Sequence, residues 1–395
     1  MTYTPEVREG LKSFAKRLCV CITAFVGLLL AGEFAASYKI AHSTQAPSQE
    51  QGPQSIYASE AWASQYWREF ASADRVQYKP YVLWRRAPFS GRTINVDSDG
   101  IRKTHYTTCD PNAYTIWMFG DSALWGAGSP DWETIPSLLA KDYGTAGRKL
   151  CIKNFGEKAW VSTQEIIQLI LALKQTPSAP NLIIFYDGVS DSFVPYMSAV
   201  PDSHLNFDDI KRLFEQGSTD QQSGFSYLKQ TNTYRALQML RERFISASAP
   251  QSADSRSDLA NVEMAQRTLL NYQKNMDVVE TLAHHYGIQC LFVWQPVLLT
   301  GSKPLSGEEK LMVRRVETQL RPGSTAVMRA TYDLVKGIQR TDFLYLGDVF
   351  AGSEKTMFVD YSHPGPDGNR IIARRIFEFA SQRGLDESTP SMPIR

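Results

Sequence analysis

The sequence predicts an α/β fold, in which helices alternate with the strands of a parallel sheet, preceded by one N-terminal transmembrane helix. Three observations carry this. Five short apolar runs, Tyr114 to Phe119, Leu150 to Asn154, Leu182 to Tyr186, Gln289 to Trp294 and Phe343 to Leu346, are separated by stretches with helical patterning, as expected of parallel strands joined by crossover helices. The first run breaks into Gly120-Asp121-Ser122, with Gly126 and Gly128 just beyond; this sets a serine at the carboxyl end of a buried strand, where α/β folds build their clefts. Residues 18–38 contain one charge, Glu33, in 21 positions, and a helix of that length spans ~31 Å, about one hydrocarbon core.

Taken in order, residues 1–17 form a cytoplasmic N-terminus. Lys12, Lys16 and Arg17 stand immediately before the apolar stretch, and the positive-inside rule then turns the rest of the chain outward. Residues 18–38 read as a signal anchor, which implies a single-pass protein of the inner membrane whose bulk lies in the periplasm or outside the cell. The competing reading is a cleaved signal peptide, with Ala35 and Ser37 as small residues near a cut; the long n-region and the lack of an A-x-A triplet favour the anchor. Residues 39–55 are a stalk, polar and proline-bearing, unable to build a core. Residues 56–110 are an accessory segment, with Trp62, Tyr66, Trp67 and Phe70 at helical spacing, then Tyr81 to Trp84 and Asn95 to Arg102. These aromatics suit packing onto the main domain better than sugar binding, because apolar residues at helical spacing usually face a core.

The α/β domain runs over residues 111–385, with a tail at 386–395. Helices are expected through Ile135 to Lys141, from a Ser162-Thr-Gln-Glu165 capping box through Leu173, from a second box at Ser306-Gly-Glu-Glu309, and over Asp367 to Gln382, where Ile371, Ile372, Ile376 and Phe379 repeat on one face. Residues 192–263 depart from a minimal domain. They hold a helical segment, Tyr227 to Phe244, and a serine-rich stretch, 246–257, too polar to fold alone. This insertion either roofs the cleft or is a surface elaboration.

Net charge is +1, and outside residues 1–38 acidic and basic residues balance at 38 each. With no basic stripe interleaved with aromatics, nucleic-acid binding is not expected. Cys109 lies before the first strand and Cys151 in the second, so in an oxidising compartment the two can bridge neighbouring strands. No cysteine pair has metal-ligand spacing, and His284-His285 before Gly287 suits a helix C-terminus better than an ion. Neither a metal nor a cofactor is expected.

Near the C-terminus, Asp360-Tyr-Ser-His363 answers the Ser122 turn. A carboxylate three residues from a histidine can orient an imidazole that faces a serine, the relation of a nucleophile to its base. With these residues the chain resembles the SGNH (GDSL-type) hydrolase family over roughly residues 114–385. Gly120-Asp121-Ser122 matches the first block of that family, with Gly126 where it repeats a glycine. Cys151 to Gly156 matches the second block, and Asp360 to His363 the last. The third block, usually Gly-x-Asn-Asp, is here Gly188-Val189-Ser190-Asp191, with Ser190 in place of asparagine.

The resemblance implies a flavodoxin-like α/β/α sandwich. It also implies a site with Ser122 as nucleophile, His363 as base and later acid, Asp360 orienting the imidazole, and an oxyanion hole of the Ser122 and Gly156 amides with a side chain at position 190. The implied activity is that of a serine ester hydrolase or O-acyl (acetyl) transferase. Anchor, stalk and the Asn95 to Arg102 run look like membrane-anchored bacterial members linked to surface polysaccharides, so the implied partner is an acyl ester, an O-acetylated cell-envelope glycan among them. Lipase or thioesterase activity is a further alternative. The substitution at position 190 also supports a different class: a catalytically impaired domain that binds a glycan or a protein during envelope assembly.

Overall fold

The computed structural model of the chain describes residues 54–110, 113–220, 258–320 and 323–386, with isolated positions before residue 38. Its contacts fall into two units, one of Glu50–Asp208 and Asp254–Arg395, the other of Met1–Gln49 and Asp209–Ala253. The first contains every element discussed below.

The accessory segment opens this unit. A helix, Ala63–Ala73, is followed by two small hairpins, β1 (Val76–Lys79) with β2 (Leu83–Arg86) and β3 (Phe89–Ser90) with β4 (Asn95–Val96). Tyr66, Ile94 and Val96 are buried in one cluster with Trp125 and Ala127, against which Trp62, Trp67 and Phe70 pack. Cys109 and Cys151 are bridged, 42 residues apart, a closure worth ~3 to 4 kcal/mol on loop-entropy grounds.

Five parallel strands form the centre: β5 (Tyr114–Gly120), β6 (Leu150–Asn154), β7 (Leu182–Asp187), β8 (Gln289–Trp294) and β9 (Phe343–Tyr345), in spatial order β6-β5-β7-β8-β9. Counted along the chain among themselves they read 2-1-3-4-5, the flavodoxin-like doubly wound order, with its switch point between β5 and β7. Every residue of β7 is buried, because helices cover both faces of a parallel sheet. Alternation sorts the side chains. Ile116 and Met118 join Leu139, Ile184, Leu291, Ile372 and Ile376 on one face, while Trp117 and Phe119 join Ile183, Phe185, Phe292, Met276 and Tyr332 on the other. Each fully buried side chain of this size contributes ~1.5 to 3 kcal/mol.

The helices follow the sequence, with one difference in how they are capped. Ser306 and Glu309 form the expected capping box ahead of Gly307–Gln319. Ser162 and Glu165 do not. The helix Ser162–Leu173 starts from Val161 without a side-chain cap; the Ser162 hydroxyl instead donates to Asp191 Oδ1 at 2.6 Å. Glu165 is fully buried with no donor to its oxygens. Burial, followed by the neighbouring Asp187 charge, raises its pKa well above the usual range.

The stretch expected as an insertion, 192–263, includes described residues at both of its ends. The helix after Gly188 runs over Val189–Ser198, and Ser192, Val194 and Tyr196 are buried in it. Residues 258–263 open the 29-residue helix Asp258–Tyr286, which packs on the sheet. Tyr227 to Phe244 and the serine-rich stretch after it lie outside the described residues. So does most of 18–38, and among the described residues no helix is long and apolar enough to cross a membrane.

Candidate active site

β5 ends on Gly120, where a side chain would meet the Tyr186 carbonyl of β7 at 2.6 Å. Asp121 then caps a single helical turn, Ser122–Trp125, its Oδ1 accepting the Ala123 N–H at 2.8 Å. Gly126 ends the turn in the left-handed region (φ 98°), where a Cβ would press on the Thr134 methyl. Ser122 is therefore the first residue of a one-turn helix at the switch point, and its amide has no intrahelical acceptor.

The second half of the site is the loop before the helix Pro366–Gln382. Val359 N–H donates to the His363 carbonyl at 2.8 Å, and Phe358 bridges Pro364. Inside this tight loop Asp360 Oδ1 accepts the N–H groups of Ser362 and His363 at 2.8 and 2.9 Å. Its other oxygen, Oδ2, lies 2.7 Å from His363 Nδ1. On the far side of the ring, His363 Nε2 lies 2.8 Å from Ser122 Oγ. Carboxylate, imidazole and hydroxyl thus form one line drawn from positions 241 residues apart, all three partly exposed to solvent.

Electrostatics within this line oppose burial. Burial alone raises the Asp360 carboxyl, but the His363 charge and the hydrogen bonds it accepts outweigh that and hold it down to about 2. For His363, burial acts to lower the imidazole, yet the Asp360 carboxylate, by charge and by hydrogen bond, carries its pKa above the ordinary value. An imidazole of raised basicity, in contact with a serine hydroxyl, is equipped to take its proton.

The two remaining expected residues are placed differently. Gly156 is packed so closely on the serine turn that a side chain there would run into the Trp125 backbone nitrogen, but its own N–H donates to Asn154 Oδ1 at 3.0 Å. The Ser190 hydroxyl donates to Asp121 Oδ2 at 2.9 Å. A serine has one hydroxyl proton, so in this arrangement Ser190 supports Asp121 and has no second proton for an oxyanion. Asparagine, with two N–H donors, would not face that choice.

Sequence reasoning missed Gln295. It follows β8 directly, and its Nε2 donates to the same Asp121 Oδ2 at 3.0 Å. Asp121 is consequently a buried hub that accepts from Ala123, Ser190 and Gln295; burial nonetheless raises its pKa above the usual carboxylate range. The available signal was a glutamine interrupting an apolar run at the carboxyl end of a strand. Among the described residues no group of three or more His, Cys, Asp or Glu could hold a metal ion.

No family model matches the chain, and no curated sequence does. Solved structures similar to it include a lipolytic protein of the G-D-S-L family from Veillonella parvula, 12% identical over 67% of this chain and 96% of that one, with a TM-score of 0.34. The lipase Lip_vut3 from a goat rumen metagenome is 9% identical over 68% and 97%, with a TM-score of 0.39. A carbohydrate acetylesterase family member from Sinorhizobium meliloti is 13% identical over 68% and 98%, with a TM-score of 0.31. At these values the likeness reaches no further than the course of the chain.

Proposed function

We propose that the chain is a serine ester hydrolase or O-acyl transferase in which Ser122 attacks an acyl carbonyl, His363 takes the Ser122 proton and returns it to the leaving group, and Asp360 fixes the imidazole tautomer. The observation that carries this reading is the unbroken line Asp360 Oδ2, His363 and Ser122 Oγ, with contacts of 2.7 and 2.8 Å. The Ser122 amide is the donor free to meet the oxyanion, and Ser190 joins it only by exchanging Asp121 for the substrate. We place the enzyme outside the cytoplasm on the anchor-like stretch 18–38 and its basic flank; the Cys109–Cys151 bridge suits an oxidising compartment. An O-acetylated envelope glycan is the proposed substrate, on the resemblance of the Asn95 to Arg102 run.

One observation favours the second reading, a binding domain of impaired catalysis: both the Gly156 amide and the Ser190 hydroxyl are already spent on internal partners. Turnover of a small acetyl ester separates the two. Hydrolysis by the wild type that vanishes in a folded Ser122→Ala variant supports catalysis. Inertness of the wild type towards acetyl esters, alone and with sugar acceptors, together with glycan binding that survives Ser122→Ala, supports the binding domain.

A further inference from the structure

Arg102 ends the Asn95 to Arg102 run and is 1% exposed. A guanidinium taken out of water costs several kcal/mol unless it is fully paired. Here its Nε donates to Asp131 Oδ1 at 3.0 Å, Nη1 to the carbonyls of Trp125 and Gly126 at 2.9 and 2.7 Å, and Nη2 to the carbonyl of Ser129 at 2.7 Å. Two of these four bonds grip the last residue and the cap of the single turn that begins at Ser122, and a third holds the loop just beyond it. The guanidinium also lies 4.1 Å from the centre of the Trp125 ring, and that of Arg86 lies 3.8 Å from it.

The rest of the run builds this grip. Asn95 Nδ2 holds the other oxygen of Asp131 at 2.9 Å. Asp97 Oδ1 accepts the N–H groups of Asp99 and Ile101, each at 2.9 Å, which folds the loop back. Gly100 adopts φ 79° at a place where a Cβ would meet the Arg86 carbonyl at 2.9 Å. The backbone at 102 then bridges Val96 on one side and Asn154 of β6 on the other, and Asn154 Nδ2 reaches the Leu124 carbonyl at 3.2 Å.

We propose that Arg102 is a positioning residue for Ser122, which makes the accessory segment part of the catalytic framework; the proposal rests on the reading of Ser122 as nucleophile. A four-residue helix has almost no persistence of its own. The direction in which the turn presents Ser122 therefore depends on what holds its two ends, Asp121 at one and Arg102 at the other. A displacement of about 1 Å at a reacting atom costs on the order of 10²-fold in rate.

The test compares full-length Arg102→Lys, Asp131→Asn and Asp386→Ala with the wild type. Asp386 is a buried carboxylate at the opposite end of β5 from Ser122; it accepts from Ser381 at 2.6 Å and pairs with Arg148 at 3.2 Å. Four quantities are read: kcat and KM on a small acetyl ester, the rate of phosphonate labelling of Ser122, and Tm. In Arg102→Lys, kcat and the labelling rate should fall together, by roughly 10- to 100-fold, with KM within about twofold of wild type. Asp131→Asn should move both rates the same way by less, and Asp386→Ala should lower Tm while sparing both rates. Wild-type rates in folded Arg102→Lys, or equal rate losses in Asp386→Ala at equal loss of Tm, would overturn the proposal. Should Arg102→Lys fail to fold, wild-type rates in Asp131→Asn overturn it instead. If Ser122→Ala is inert while Arg102→Lys is fully active, only the role of Arg102 falls; if Ser122→Ala is active, the nucleophile reading falls first.

Discussion

Ser190→Ala separates two roles that predict opposite results. As an oxyanion donor, Ser190 would cost about 10² to 10³ in turnover when removed. As a partner of Asp121, it supplies one of three hydrogen bonds to a carboxyl that is 1% exposed. A bond to a charged group is worth ~1.5 to 3 kcal/mol, and its loss leaves a buried acceptor short of a donor. The geometry thus predicts a stability loss of ~1.5 to 3 kcal/mol, read by denaturant titration, with turnover of an acetyl ester reduced less than about tenfold. Ser190→Asn can bond Asp121 through one N–H and offer the second to substrate, so its turnover should equal or exceed that of wild type. If Ser190→Ala instead turns over the ester about a hundredfold more slowly or worse, at unchanged KM and unchanged stability, this account of the hub is refuted.

Three further outcomes are expected. The acid limb of kcat/KM should lie above the ordinary histidine value, because the base must be neutral and Asp360 raises it; Asp360→Asn removes the strongest influence that raises the imidazole and leaves burial, the largest that lowers it, so the limb should move to lower pH and kcat should fall by about 10⁴. A limb at the same pH in both proteins would remove His363 from the reaction. Peptide mapping of unreduced protein should recover Cys109 and Cys151 as one linked pair, and two free thiols would contradict the fold at that edge. The protein should sediment with membranes and be cleaved by protease added from the periplasmic side, on the charge asymmetry around 18–38; a soluble cytoplasmic full-length chain would refute the anchor.

Much of the scaffold was legible because the buried positions of parallel strands read as short, largely apolar runs. β6 and β8 begin and end where those runs do. Ser122, Asp360 and His363 were legible for a related reason: each stands at a strand or helix boundary marked by glycine or proline. What the pattern hid depends on contacts between distant segments. Ser162 reads as a cap until Asp191, 29 residues away, claims its hydroxyl, and the bond from the Ser190 hydroxyl to Asp121, 69 residues away, is equally invisible in the local sequence. Arg85, Arg86 and Arg102 look like surface charges in a chain met alone. They are buried because carbonyls, carboxylates and the rings of Trp125 and Trp160 receive them, and local sequence carries no trace of that.

The central claim is that Ser122 is a nucleophile activated by His363, and the most direct measurement is covalent. A serine-directed organophosphonate incubated with the full-length protein, followed by proteolysis and mass spectrometry, should give a single adduct on the peptide carrying Ser122. The adduct should form far more slowly in folded His363→Ala and be absent in Ser122→Ala. An adduct on another residue, or labelling of Ser122→Ala at the wild-type rate, would contradict the account.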